Sequence, residues 1–438
     1  MDSIYIRQVW DGNVDLLARL QKDTSPEGKR RLRYFQIHLT PWPKIDNERS
    51  FIPGVPSKPS GGSYYPDDMG RDEWAQWLVG QTDETQKAAI GFFSVIRRGP
   101  GGKLKVVPYS QEYKKWLVPA SKLLKEAASL TTNKTLKTFL KLRAQAFLTD
   151  DYYESDVAWM DLDSPIDVTI GPYEVYLDEK FNYKAAFEAF ITLRDDAETK
   201  KLKEFSSYLQ DIEDHLPIDP KFRNPQLGAL SPIRVVDEVF LGGESRSGVQ
   251  TAAYNLPNDE KVTKEKGSKR VMLKNVQEAK FNTILKPIVS RVIDPSQRGD
   301  VAFEPFFTHI LMHELLHGLG PNVITVKGKQ TTVRDQMQAL HSAMEEAKAD
   351  ISGLWALQYL ITVIACHNLC GFTSHWVGVE HEPGDLATAQ SHAKFFKMFN
   401  PHIDRSVWQM VIAAHTDNHL LSGSWQLTDL VDGGIGGL

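Results

Sequence analysis

The residues best placed to do chemistry are His313-Glu314-Leu315-Leu316-His317. Two histidines four positions apart fall on one face of an α-helix, about one turn apart. Their imidazoles can converge on one zinc ion, and Glu314 between them is placed to polarise a water there. The flanks favour a buried helix. Phe306, Phe307, Ile310, Leu311 and Met312 precede the motif, while Gly318, Gly320 and Pro321 follow it as a stop signal. The plainer alternative is a core helix with two hydrogen-bonded histidines.

A catalytic zinc site needs a third protein ligand. One class of zinc peptidases places a third His six residues after the second. That position is Val323 here, which cannot bind a metal, so the class is excluded. The other common solution is a Glu on a later helix. Glu345-Glu346-Ala347-Lys348-Ala349-Asp350 lies in a helical run from about Arg334 to Leu360, with Leu340, Met344, Ile351 and Leu354 at apolar positions. Glu346 and Asp350 share a face and Glu345 sits beside them. Carboxylates so close repel one another and call for a cation or basic partners. A solvated acidic face is the alternative.

These two segments need a sizeable scaffold. The chain has 438 residues, enough for two or three lobes with real cores. A formal net charge of -5 argues against nonspecific nucleic-acid binding, so no nucleic-acid partner is expected. Met1 to Gln8 opens into charged sequence without a secretory segment, and no apolar run reaches membrane-spanning length. With two cysteines there is no disulfide framework, so a cytoplasmic, non-membrane setting is the expectation. Cys366 and Cys370 lack a second pair to complete a metal site.

No internal repeat is visible. Ile90–Arg98 and Lys103–Pro108 read as strands joined by Gly99-Pro100-Gly101-Gly102, a turn without the Lys-Ser/Thr ending of a phosphate loop. Residues 111–149 are helical. Ile166–Asp178 and Tyr183–Leu193 read as a strand pair, followed by a charged helix from about Asp195 to His215. Val235–Phe240 and Gln250–Asn255 read as strands. From Gln277 the pattern is helical up to the histidine motif and beyond. After Ile361 the periodicity weakens, lysines become scarce and histidines scatter without ligand spacing.

Taken together, these motifs resemble the dipeptidyl peptidase III family of zinc exopeptidases, over about Arg7 to Tyr359. The likeness is strongest to its shorter zinc-hydrolase branch, which in plants is fused to a Nudix domain; no Nudix box is present here. The family's zinc helix usually has one more residue between its histidines, and this chain has the shorter form. Its Glu-Glu-x-x-Ala-Glu/Asp motif matches Glu345–Asp350. The resemblance implies Glu346 as the third zinc ligand, with Glu345 and Asp350 orienting the histidines. Gly171-Pro172-Tyr173-Glu174-Val175-Tyr176-Leu177-Asp178 is similar to the family's substrate strand. It implies that Glu174 receives a peptide's N-terminal ammonium and that Tyr176 stabilises the tetrahedral intermediate. Glu188, on the paired strand, is implied to face the ammonium too. Asn255-Leu256-Pro257-Asn258 matches the Asn pair that holds the peptide backbone, a task suited to an amide's donor and acceptor.

The resemblance implies an α+β fold of two lobes about a cleft. One is mixed, with a barrel-like sheet, over 1–195 and 235–280. The other is mainly helical and binds zinc, over 196–234 and 281–361. Residues 362–438 form an atypical tail, in which the family's Asn-Glu-Ala-His stretch has no counterpart; His381 is a poor substitute. The implied activity is release of dipeptides from the N-terminus of oligopeptides, with Glu314 as the base. Two alternatives stay open: a zinc hydrolase of this fold acting on a non-peptide substrate, and a catalytically weak peptide-binding relative.

Overall fold

The structure, a computed structural model, describes residues 1–227, 233–321, 323–337 and 341–369. The chain is α+β and divides into two compact units. The first comprises Met1–Asp196 and the described part of Ser231–Val276; the second comprises the described residues of Ala197–Leu230 and those from Gln277 onward. No helix among the described residues is long and apolar enough to cross a membrane.

The first unit is built on a curled half-barrel sheet. A hairpin of β1 (Ser94–Arg98) and β2 (Leu104–Pro108) stands apart from it. The sheet contains β3 (Ile166–Glu174), β4 (Ala186–Arg194), β5 (Ile233–Gly243), β6 (Ala253–Leu256) and β7 (Lys269–Leu273). Their order is β3-β4-β5-β7-β6, antiparallel except for the parallel β5–β7 pair. Alternation along β4 sends Phe187 to one face and Glu188 to the other. Phe187 packs among Tyr109, Tyr113 and Phe147 from the helical layer. Glu188 sits opposite Gly171 of β3 and Gly243 of β5.

A buried charge network fixes β3 to the helices. Arg143, fully buried on the helix Lys134–Thr149, donates to Asp156 Oδ1 at 2.6 Å and to Ile170 O at 2.6 Å. Tyr173 OH donates to the same Asp156 oxygen at 2.6 Å. A Cβ on Gly171 would lie 2.6 Å from Arg143, so only glycine leaves room for the guanidinium.

In the second unit the metal-motif helix, Phe303–Leu316, buries Phe307, Leu311, Met312, Leu315 and Leu316. That spacing is one apolar stripe at helical period. Pro305 lies in its first turn, where no intrahelical N–H is lost. The carboxylate helix, His341–Leu369, packs against it. Gly353 makes the approach possible: a Cβ there would meet the His313 backbone N at 3.1 Å.

The structure corrects several expected elements. The strand carrying Glu174 ends at that residue, so Tyr176 lies in the turn beyond it. A register shift at Pro172/Glu174 and hydrogen bonds that the Glu174 carboxylate accepts from the backbone N–H groups of Tyr176 and Leu177 turn the chain there. The charged helix breaks at Tyr208 into Asp196–Ser207 and Leu209–His215. The chain after the histidine motif is not helical throughout. It forms a hairpin of β8 (Val323–Val326) and β9 (Lys329–Thr332). The carboxylate helix runs on to Leu369; the remainder of the expected tail, with Cys370 and His381, lies outside the described residues.

Removing one partner of a buried ion pair leaves the other uncompensated. Arg143→Met should therefore lower the free energy of unfolding by about 3–5 kcal/mol in urea denaturation. Replacing Asp156 by Leu in the same chain should recover most of that loss. A single-variant loss below about 1 kcal/mol would show that the pair does not anchor β3.

Candidate active site

The second unit brings His313, His317 and Glu346 together. Neighbouring turns of one helix present the two imidazoles, and the packed carboxylate helix supplies the third group. His313 Nε2 lies 3.1 Å from His317 Nε2 and 3.1 Å from Glu346 Oε2; His317 Nε2 lies 3.7 Å from the same oxygen. These three atoms face one another as a candidate metal site. Tetrahedral zinc, with bonds near 2.0–2.1 Å, spaces its ligand atoms roughly 3.3–3.4 Å apart. The donor set and spacing therefore fit such an ion.

The other ring nitrogens are held by carboxylates. His313 Nδ1 donates to Asp350 Oδ1 at 2.7 Å, and His317 Nδ1 donates to Glu345 Oε1 at 3.0 Å. This fixes the tautomer that leaves each Nε2 for a metal. Burial alone would lower the His313 pKa, but hydrogen bonds to Asp350 and Glu346 outweigh it and push it up to about 9. Burial would likewise raise Glu345, yet its bonds to His317 and Lys348 bring it down to about 2. Hydrogen bonding to His313 holds Glu346 below its ordinary value, against burial. The raised His313 and the lowered Glu345 and Glu346 all follow from the close pairing of imidazoles with carboxylates. Glu314 is half-buried on the same helix.

The exit of the metal-motif helix is also fixed. Fully buried Glu213 accepts from Gly320 N at 2.8 Å, and Asn224 donates to Gly320 O at 2.8 Å.

The first unit carries the remaining expected residues. Glu174 accepts from the backbone N–H groups of Tyr176, at 2.9 Å, and Leu177, at 3.2 Å. Burial, reinforced by the Glu244 carboxylate, pushes its pKa up to about 7 against the opposing pull of Lys44 and those two N–H bonds. Glu188 is pushed well above the ordinary range by burial, then by Glu244 and Glu174. Asn258 donates to Tyr173 O at 2.7 Å, so it braces the residue before Glu174. Asn255 is exposed on β6 and Tyr176 is 80% exposed. Asp178 closes the turn by accepting from Tyr65 OH at 2.6 Å and from the N–H of Tyr183 at 2.9 Å.

Sequence reasoning missed Glu244 and Lys44, which pair at 3.2 Å. They lie 200 positions apart, and only the sheet register carries the chain from Glu188's partner Gly243 to Glu244. It also missed Lys348, although the Glu345–Lys348 spacing of three residues on a helix was a readable signal.

The family model described as Peptidase family M49 matches residues 99–330, which stops short of the carboxylate helix. The solved structure of DPP III from Caldithrix abyssi has a TM-score of 0.81 and 44% identity, over 91% of this chain and 72% of that one. Dipeptidyl-peptidase III from Corallococcus sp. strain EGB gives 0.70 and 52%, over 90% of this chain and 70% of that one. Nudix hydrolase 3 of Arabidopsis thaliana is 44% identical over 83% of this chain and 53% of its own length. The chain thus spans about half the length of that curated relative.

The metal set yields a direct test. Elemental analysis should find one divalent metal per chain, and His313→Ala should retain less than about a tenth of it. Full retention in that variant would remove His313 from the ligand set.

Proposed function

The chain belongs to peptidase family M49, and on that premise we propose that it is a zinc metallopeptidase that releases dipeptides from the N-terminus of oligopeptides. The observation that carries the reading is the triad of His313 Nε2, His317 Nε2 and Glu346 Oε2, with mutual distances of 3.1, 3.1 and 3.7 Å. Bound there, zinc would supply Lewis-acid polarisation of an amide carbonyl and make water a competent nucleophile at neutral pH. Glu314 takes the proton of the attacking water and returns it to the leaving amine. Tyr176 donates its phenol to the developing oxyanion. Glu345 and Asp350 keep the histidine rings in register through the reaction.

Selection of a free N-terminus falls to Glu174, with Glu188 behind it. A buried carboxylate that meets an ammonium gains an ion pair in a poorly solvated place, while an acylated terminus offers no charge. Asn255 and Asn258 hold the peptide backbone. Asn258 reaches that task with one N–H already engaged by Tyr173 O.

Glu314→Gln keeps the side chain's shape and removes the base. It should reduce turnover by at least about 100-fold while zinc stays bound. Loss of metal together with activity would make Glu314 a structural residue instead.

Acetylating the N-terminus of a peptide substrate should cut kcat/KM by roughly 100-fold to 1000-fold. The discrimination should depend on pH. Glu174, raised to about 7, is mostly protonated below that value and cannot pair with an ammonium. Free α-amino groups lose their charge above about 8. The ratio of free to acetylated cleavage should therefore climb as pH rises through about 7 and fall again above about 8. A ratio near one at every pH would refute the ammonium role.

A further inference from the structure

Lys348 lies between the zinc-site carboxylates in sequence and has no role in the reading above. Its ammonium has three donors, and three acceptors surround it. Glu345 Oε1 is at 2.8 Å, Leu319 O at 2.9 Å and His317 O at 3.4 Å. The side chain is 29% exposed, so this is no lysine trailing in solvent. Two of its acceptors are carbonyls beyond the last turn of the metal-motif helix, where a helix presents its negative pole. The third is the carboxylate that accepts from His317 Nδ1 at 3.0 Å. One ammonium thus touches His317 twice, at its backbone carbonyl and, through Glu345, at its ring.

We infer that Lys348 is a positioning residue for the metal centre, acting through Glu345 to fix the imidazole of His317. The inference rests on the zinc reading proposed above. Without Lys348, Glu345 keeps its charge but loses the anchor that limits its rotamers. The His317 ring then samples orientations in which Nε2 misses the metal. Glu346 and Asp350 reach their partners without Lys348, so the defect should be confined to the His317 side of the site.

The experiment measures Zn2+ affinity by competition with a chromophoric chelator, on the full chain, with zinc alone as the ligand. Lys348→Met keeps the length of the side chain and removes its charge; it should weaken zinc binding by about 10-fold to 100-fold. Lys348→Arg keeps the charge and the reach, and should stay within about threefold of the unaltered protein. In a Glu345→Gln background, Lys348→Met should add less than about threefold, because its route to the ring is already cut. Equal zinc affinity in Lys348→Met and the unaltered protein would overturn the inference. So would an undiminished effect in the Glu345→Gln background, which would mark Lys348 as a helix cap and no more. Thermal melting of the metal-free variants separates that case: a lowered Tm with unchanged zinc affinity is the signature of a purely structural lysine. If the unaltered chain fails to bind zinc at one equivalent, the zinc reading itself falls, which is a different result from failure of the Lys348 variants alone.

Discussion

Two imidazoles on adjacent helical turns do not by themselves present the right nitrogens to a metal. Each ring has two nitrogens and a rotatable bond, and only an outside acceptor selects among the alternatives. Here Asp350 and Glu345 make that selection, from a helix that follows the histidines by about thirty residues. Several features among the described residues of the second unit support this contact. The apolar stripe from Phe307 to Leu316 seats one helix, Gly353 lets the other approach it, and Glu213 with Asn224 holds the exit loop. The third donor, Glu346, rides on the same helix as the two orienting carboxylates, so one packing event places all three.

The first unit faces a different problem, which is how to gather carboxylates within a folded sheet. Glu188 is buried, Glu174 is half-buried beside it, and the Glu244 carboxylate acts on both. Burial and mutual repulsion raise the cost of ionisation for each. Lys44 offsets part of that cost through Glu244. The Arg143–Asp156–Tyr173 network and Asn258 spend three hydrogen bonds on Ile170 and Tyr173, just before Glu174. A site that stores repulsion needs a rigid frame, and the frame is a strand pinned to helices by a buried ion pair.

What could be read from the sequence follows the range of the interactions. The histidine pair and the acidic run declare themselves because each acts within one or two helical turns, where spacing and geometry coincide. The pattern predicts too long a Glu174 strand because alternation at Tyr173, Val175 and Leu177 continues past the point where Glu174's own carboxylate turns the chain. The β8–β9 hairpin is hidden inside a run of helical signals. Its turn residues, Lys327 and Gly328, both have positive φ, but Lys-Gly is a weaker cue than Asn-Gly. Arg143 with Asp156 and Lys44 with Glu244 could not have been paired from local pattern. Each pair depends on which helix or strand edge the topology brings alongside, and the second spans 200 positions.

The missing side chain at Gly353 has a consequence for the kinds of ion the centre can serve. Two helices that touch backbone to backbone, as Gly353 and His313 do, cannot close further to narrow the gap between their ligands. The closest approach of the two ligand-bearing helices is then set by one absent methyl group. A large, oxygen-seeking cation wants six to eight ligands at longer range. Among the described residues it would find three donor atoms that converge, two of them nitrogen. Selectivity in such a centre is a property of the helix crossing before it is a property of the ligands.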